Sequence, residues 1–255
     1  ILDTISEYCM QSEQDSRRIR HLGAPAGRVR VTGNLKFDMQ PPQIDIEELE
    51  ALRRQLRLPG NARIWVAGST HDGEEKQLAE VYQRLREICP ELFLILVPRH
   101  PERCCQVQDE MGKQNFATTL RSSLAVMSNN LQPGEILIVD TLGEVLKLYA
   151  LSELVFVGGS LVDIGGHNIL EAALLKKPVM YGSHMQNFKE IARLVRAAHA
   201  GLQVKNADDL YRQMRILIEN PHEAVRIGEN GHHLLEENRG ATQRTLEVID
   251  RRMLT

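Results

Sequence analysis

The chain has 255 residues, 25% charged and 42% hydrophobic, an ordinary globular composition long enough to bury a substantial core. Its 31 Lys and Arg against 34 Asp and Glu leave a net charge of −3, so no global basic field recruits nucleic acid or anionic lipid, and phosphate recognition must be local. Cys9, Cys89, Cys104 and Cys105 show no C-x-x-C pairing and read as reduced thiols, and no run approaches the roughly 20 apolar residues that cross a bilayer.

The chain opens at Ile1 with neither an initiator methionine nor a signal-peptide pattern, which reads as an internal starting point. The first 40 residues predict a helix over Glu13–Leu22, a short strand at Val29–Thr32 and a turn at Gly33-Asn34. Pro41-Pro42 then forces an extended link, because each proline restricts the residue before it. A domain boundary is expected there, with residues 1–40 the remnant of one domain and 41–255 a second domain with a helical tail.

From Arg63 onward, continuous apolar runs alternate with segments of helical period. The runs at Ile64–Ala67, Leu92–Val97, Phe116–Thr118, Ile136–Val139, Leu154–Val157, Pro178–Tyr181 and Gly201–Val204 suit strands covered on both faces. Glu74–Ile88, Pro101–Gly112, Leu142–Ala150, Ile169–Leu175 and Phe188–Ala198 read as the intervening helices. After Asn206 the pattern is helical to Thr255, with breaks near Asn220-Pro221 and Arg239-Gly240. This alternation predicts an α/β fold, a Rossmann-like, doubly wound parallel sheet.

Such sheets bind ligands beyond the carboxyl ends of their strands, so the residues that follow the strands are the candidates. The first strand runs into Gly68-Ser69-Thr70-His71, where glycine lets backbone approach a ligand and a helix N-terminus suits phosphate, although Ser69, Thr70 or Asp72 could simply cap that helix. The second ends in Arg99 and His100 between two prolines, followed by Arg103, an anion clamp or a solvated loop paired to Glu102. Gly158-Gly159-Ser160 and Gly165-Gly166-His167-Asn168 lead into a helix whose Glu171 could accept ribose hydroxyls, yet Asn168-x-x-Glu171 also fits a capping box. His167 and Glu171 share a face but are too few for a metal site. Asp140–Glu144, with Gly143 and Glu144, follows the fourth strand and also reads as a cap. With no G-x-G-x-x-G, no P-loop and no G-x-S-x-G, the dehydrogenase, NTPase and hydrolase readings lose their support.

Taken together, Gly33-Asn-Leu-Lys-Phe-Asp38, Ala67-Gly-Ser-Thr-His-Asp-Gly-Glu-Glu75, Val97-Pro-Arg-His-Pro-Glu-Arg103, Asp140-Thr-Leu-Gly-Glu144, Val157-Gly-Gly-Ser-Leu161 and Gly165-Gly-His-Asn-Ile-Leu-Glu171 resemble the 3-deoxy-D-manno-octulosonic acid (Kdo) transferases of lipopolysaccharide synthesis, in order and spacing from about Gln11 to about Glu190. The resemblance implies the C-terminal, donor-binding half of a two-domain GT-B glycosyltransferase. It also implies CMP-Kdo as donor, a lipid A precursor as acceptor, inversion at the sugar, and no metal or cofactor. Carried over residue by residue, Ser69, Thr70 and His71 approach phosphate or Kdo, and Arg99 and Arg103 the nucleotide or sugar carboxylate, with His100 beside them among the substrate-binding residues. Gly143 and Glu144 frame the cytosine, Ser160, Gly166, Asn168 and Glu171 hold phosphate and ribose, and Lys36 faces the donor from the hinge.

No catalytic residue is expected within this chain, because the family's general base and its membrane-associating surface belong to the N-terminal domain. The complete protein is expected at the cytoplasmic face of the bacterial inner membrane, with the chain itself soluble and inactive alone. The alternatives are a UDP-sugar epimerase of the same architecture, a non-catalytic nucleotide- or protein-binding module, and a structural domain whose loops are all caps.

Overall fold

The computed structural model describes residues 1–253, which divide into two compact units, residues 1–40 with 233–253, and residues 41–232. The segment after 232, expected as a tail of the second domain, thus groups by its contacts with the first forty residues. Within the first unit, β1 (Tyr8–Met10) and β2 (Val29–Val31) pair in parallel on either side of α1 (Glu13–His21). Ser12 caps α1 through the amide of Asp15. Tyr8, Ala24 and Val29 form the small core. Asp38 accepts the amides of Gly240 and Thr242, and Arg244 Nε donates to the carbonyl of Thr32 at 2.8 Å, joining α10 (Ala241–Met253) to the first forty residues.

The second unit opens with α2 (Ile46–Gln55), capped by the Asp45 carboxylate on the amide of Glu48 at 2.7 Å. Arg53 then donates to the carbonyls of Pro59, Gly60 and Ala62, fixing the turn into the first long strand. Strands and helices follow in alternation: β3 (Arg63–Thr70), α3 (Glu74–Arg86), β4 (Leu92–Pro98), α4 (Cys104–Lys113), β5 (Thr118–Leu120), β6 (Ile136–Ile138), α5 (Val145–Leu151), β7 (Leu154–Val157), α6 (Leu170–Leu174), β8 (Val179–Tyr181), α7 (Lys189–Ala197), β9 (Leu202–Gln203) and α8 (Ala207–Glu219), before α9 (Pro221–Asn238). Seven strands make one wholly parallel sheet in the order β5-β6-β4-β3-β7-β8-β9.

The strands are apolar throughout because helices cover both faces: Trp65, Val66, Ala67, Leu94, Ile95 and Leu96 are inaccessible to solvent. In α3 the buried Leu78, Val81, Tyr82 and Leu85 recur at helical spacing and form its core-facing stripe. The chain winds outward from β3 through β4 to β5 and β6, then crosses to the other side of β3 for β7, β8 and β9. The order therefore reverses between β3 and β7, and the crevice beyond their carboxyl ends is the usual ligand position of such a sheet.

Three local differences from the sequence reading have physical causes. The strand expected at Phe116–Thr118 lies at Thr118–Leu120, because Asn115 takes a left-handed turn (φ 63°) and Phe116 packs against the Tyr82 ring. The helix expected from Leu142 starts at Val145, since Gly143 (φ 82°) and a Thr141–Glu144 side-chain hydrogen bond hold the preceding residues in a loop. The helix expected from Pro101 begins as a 3-10 turn over Pro101–Arg103 before α4. All four cysteines are unpaired, and among the described residues no helix is long and apolar enough to cross a membrane.

Candidate functional site at the switch point

Beyond the end of β3 the backbone turns abruptly. Ser69 is left-handed (φ 56°) and the pairing of β3 with β4 slips between Gly68 and Thr70, a bulge that re-aims the residues after it. Thr70 consequently faces inward and its hydroxyl donates to Glu75 Oε1 at 3.0 Å, while its carbonyl accepts the amide of Arg99 at 2.9 Å. The loops after β3 and β4 are thereby fastened together.

Glu74 and Glu75 open α3, and both are fully buried. Burial pushes both carboxyls up from the ordinary range, and each has partners that oppose this. Glu75 is joined by Arg103 at 2.9 and 3.4 Å, and Asp72 lies 3.5 Å from the same guanidinium. Glu74 accepts four backbone amides: Gly159 at 2.7 Å, Ser160 at 3.0 Å, Leu161 at 2.9 Å and His71 at 3.0 Å. One carboxylate thus binds the loops after β3 and β7. A side chain at position 158 would place its Cβ 2.5 Å from the carbonyl oxygen of Ser69 and 2.7 Å from Glu74 Oε2, so only glycine admits this approach.

Held this way, the two loops bring His71 and His167 together. Their rings lie parallel, 6° apart in plane with centroids at 5.0 Å, and their Nε2 atoms are 2.7 Å apart. His100 meets His71 edge to face at 5.8 Å. Burial holds both His71 and His167 below the usual histidine value, His167 at about 4, and the neighbouring cations act in the same direction. Arg99 is exposed and makes no ion pair among the described residues. Glu171 is partly buried, its carboxyl raised by burial and drawn back down by Asn168 and Arg99. Asn168 Oδ1 accepts the amide of Leu170 at 3.3 Å, and its side-chain nitrogen lies 3.5 Å from Glu171.

Ser69 and Thr70 are therefore the last residues of β3, and His71, Arg99, His100, Arg103, Ser160, Gly166, Asn168 and Glu171 follow β3, β4 or β7. Within this set the side chains of Thr70 and Arg103 are turned to Glu75. Ser160 is fully buried, its hydroxyl donating to Val157 O and accepting the amide of Gly182 at 2.8 Å. The backbone of Gly166 donates to Gly159 O at 2.7 Å. Gly143 and Glu144 follow β6, where Glu144 is fixed by Arg121 at 3.0 Å and the space over Gly143 is open. Lys36 lies in the first unit, in the 3-10 turn Leu35–Asp38. Sequence reasoning missed Glu74 and Glu75 as internal anchors, since acids in a first helical turn ordinarily face water.

Comparison with known proteins narrows the class. The model described as 3-Deoxy-D-manno-octulosonic-acid transferase (kdotransferase) matches residues 1–39. The chain is 36% identical over 246 residues to the 3-deoxy-D-manno-octulosonic acid transferase of Haemophilus influenzae, covering 96% of this chain and 56% of that protein. It is 32% identical over 253 residues to the same-named protein of Rickettsia felis, covering 98% and 52%. The chain thus spans about half the length of the curated relatives it matches. Among solved structures it resembles the C-terminal CMP-Kdo binding domain of WaaA from Acinetobacter baumannii, with a TM-score of 0.66 and 31% identity over 74% of this chain and 97% of that one. Anabaena HepE in complex with UDP-glucose, at 17% identity and a TM-score of 0.63 over 98% of this chain and 64% of that one, shares the fold.

The fold built on this parallel sheet matches the C-terminal domain of a GT-B glycosyltransferase. More narrowly, the chain belongs to the Kdo transferase family.

Proposed function

We propose that this chain is the donor-holding part of a Kdo transferase. It binds CMP-Kdo in the crevice beyond β3 and β7, and the complete protein transfers Kdo to a lipid A precursor at the cytoplasmic face of the inner membrane. The observation that carries this reading is the convergence of His71, His100, His167 and Arg99 at the switch point, together with the likeness to a CMP-Kdo binding domain. In sugar transfer from a nucleotide, negative charge grows on the departing phosphate, and fixed donors aimed at it lower the barrier. In this reading the imidazoles and Arg99 supply such donors, Glu171 accepts ribose hydroxyls and the base sits over Gly143, where a Cβ would meet open space. The acceptor hydroxyl and the general base that takes its proton are assigned to the N-terminal domain of the complete protein, so the 255-residue chain alone should transfer no sugar.

A calorimetric titration with CMP, UMP and free Kdo tests the reading. CMP should bind more tightly than UMP. Glu171→Gln should weaken CMP by roughly tenfold or more, since a hydrogen bond to a charged group contributes about 1.5–3 kcal/mol. Equal binding of the two nucleotides, or of neither, would overturn the donor assignment. A less stable Glu171→Gln protein with unchanged CMP affinity would make Glu171 a cap instead.

A further inference from the structure

Three successive amides, those of Gly159, Ser160 and Leu161, converge on one concavity in the loop after β7, the arrangement by which backbone binds anions. Its occupant is internal: the carboxylate of Glu74 fills it and accepts His71 N–H as a fourth donor. Arg103 is likewise engaged with Glu75 and Asp72. An oxyanion arriving at the switch point therefore meets His71, His167, Arg99 and His100 rather than the glycine-loop amides.

With Nε2 atoms 2.7 Å apart, His71 and His167 share one hydrogen between facing nitrogens, one ring donating and the other accepting. One added proton makes a single cation that still donates to its neutral partner, whereas charging both rings would set two N–H groups against each other at 2.7 Å. The carboxylates around the pair all have other partners: Glu74 holds amides, Glu75 and Asp72 face Arg103, Glu171 faces Asn168 and Arg99, and Asp163 lies 3.3 Å from His184. Among the described residues no carboxylate forms an ion pair with either ring. Both rings accordingly titrate below the usual histidine value, and the counter-charge that would stabilise their charged form must come from outside the protein.

We propose that His71 and His167, flanked by Arg99 and His100, form an oxyanion subsite that takes up a proton as it fills, with Glu74 as the positioning residue that holds the two imidazoles in contact. This rests on the reading of the crevice as a donor site and adds the proton and the anchor to it. The oxyanion is a phosphate oxygen of the nucleotide or the carboxylate of the sugar acid. By linkage, an anion that prefers the protonated pair raises its pKa, and its own affinity rises as pH falls towards the pKa of the empty pair.

The test is a histidine side-chain NMR titration in sulfate and in chloride at matched ionic strength, since sulfate stays a dianion across the range. Sulfate should raise the apparent pKa of the His71–His167 pair by about one unit or more, the linkage signature of a tenfold preference for the charged form. His167→Asn should abolish the shift at His71. Glu74→Gln should abolish it where the protein folds, and Glu74→Asp should restore part of it, which a merely structural carboxylate would not do. Repeating the titration with CMP and with free Kdo identifies which ligand supplies the oxyanion. Sulfate that leaves both imidazoles where chloride leaves them overturns the subsite, even if Glu74→Gln fails to fold. CMP binding without the shift would sink the subsite and spare the donor reading, and the shift without CMP binding would do the reverse.

Discussion

The Nε2 atoms of His71 and His167 stand 2.7 Å apart across 96 positions of sequence. The contact exists because β3 and β7 are adjacent in the sheet while their connections run to opposite sides. It makes the ends of these two strands the chemical centre of the domain.

That centre confers a pH dependence on stability. His167 stays neutral in the folded protein until about pH 4, against 6.5 for an unperturbed imidazole. Between those values the unfolded chain binds the extra proton, so stability falls as pH drops through the window. His167→Asn should flatten the profile there and leave its shape unaltered above about pH 7, where both states are neutral. Melting temperatures measured across the range decide it, and a decline that persists unchanged in the variant would assign it to other groups.

Ser160 was a candidate phosphate ligand, and its hydroxyl instead joins Val157 O to the amide of Gly182 inside the protein. Ser160→Ala should cost about 1–3 kcal/mol in stability by orphaning that buried amide. CMP affinity should be unchanged. A variant of native stability with weakened CMP binding would return Ser160 to the ligand.

Arg103→Ala would strand Glu75, which has no solvent exposure. Removing one partner of a buried pair costs about 3–5 kcal/mol, and at about 2–4 °C per kcal/mol for a domain of this size the melting temperature should drop on the order of 10 °C. Adding Glu75→Gln should recover part of the loss, because no unpaired buried charge then remains. Losses within about 0.5 kcal/mol for Arg103→Ala would mark the pair as an ordinary surface contact.

Arg99 is exposed, and its replacement should leave the melting temperature within the roughly 1–2 °C of an ordinary surface change. Arg99→Lys should still weaken CMP-Kdo, because lysine keeps the charge and loses the planar fork. Wild-type binding by Arg99→Lys with loss in Arg99→Ala would mean that charge alone matters. No effect from either would exclude Arg99 from the site.

The frame of this domain was legible in the sequence because buried parallel strands are written as unbroken apolar runs, of which Leu92–Val97 is the plainest. The loops that follow β3, β4 and β7 were legible for the same reason, since a strand end fixes where the next residues must go. α2 went unread because half of its ten residues are charged, with Leu52 as its single buried residue. The functions of Glu74 and Glu75 were illegible for a deeper reason. Three of Glu74's four partners lie 85 to 87 residues away, and nothing in Gly73-Glu74-Glu75 distinguishes an acid that faces water from one that fills a buried nest. The inward direction of the Thr70 and Ser160 hydroxyls was illegible in the same way, because it depends on a bulge and on a neighbouring strand.

The enclosed Glu74 carboxylate also bears on how fast a nucleotide is captured. A glycine-rich loop with empty amides ordinarily wanders until a phosphate arrests it, and arrest costs backbone entropy of about 1–2 kcal/mol per residue at the moment of binding. Here Gly159, Ser160 and Leu161 are arrested during folding, by a group the chain carries with it. A ligand arriving there should meet a rigid wall, so association is expected to proceed without a slow ordering phase and differences between ligands to be expressed in how long each stays.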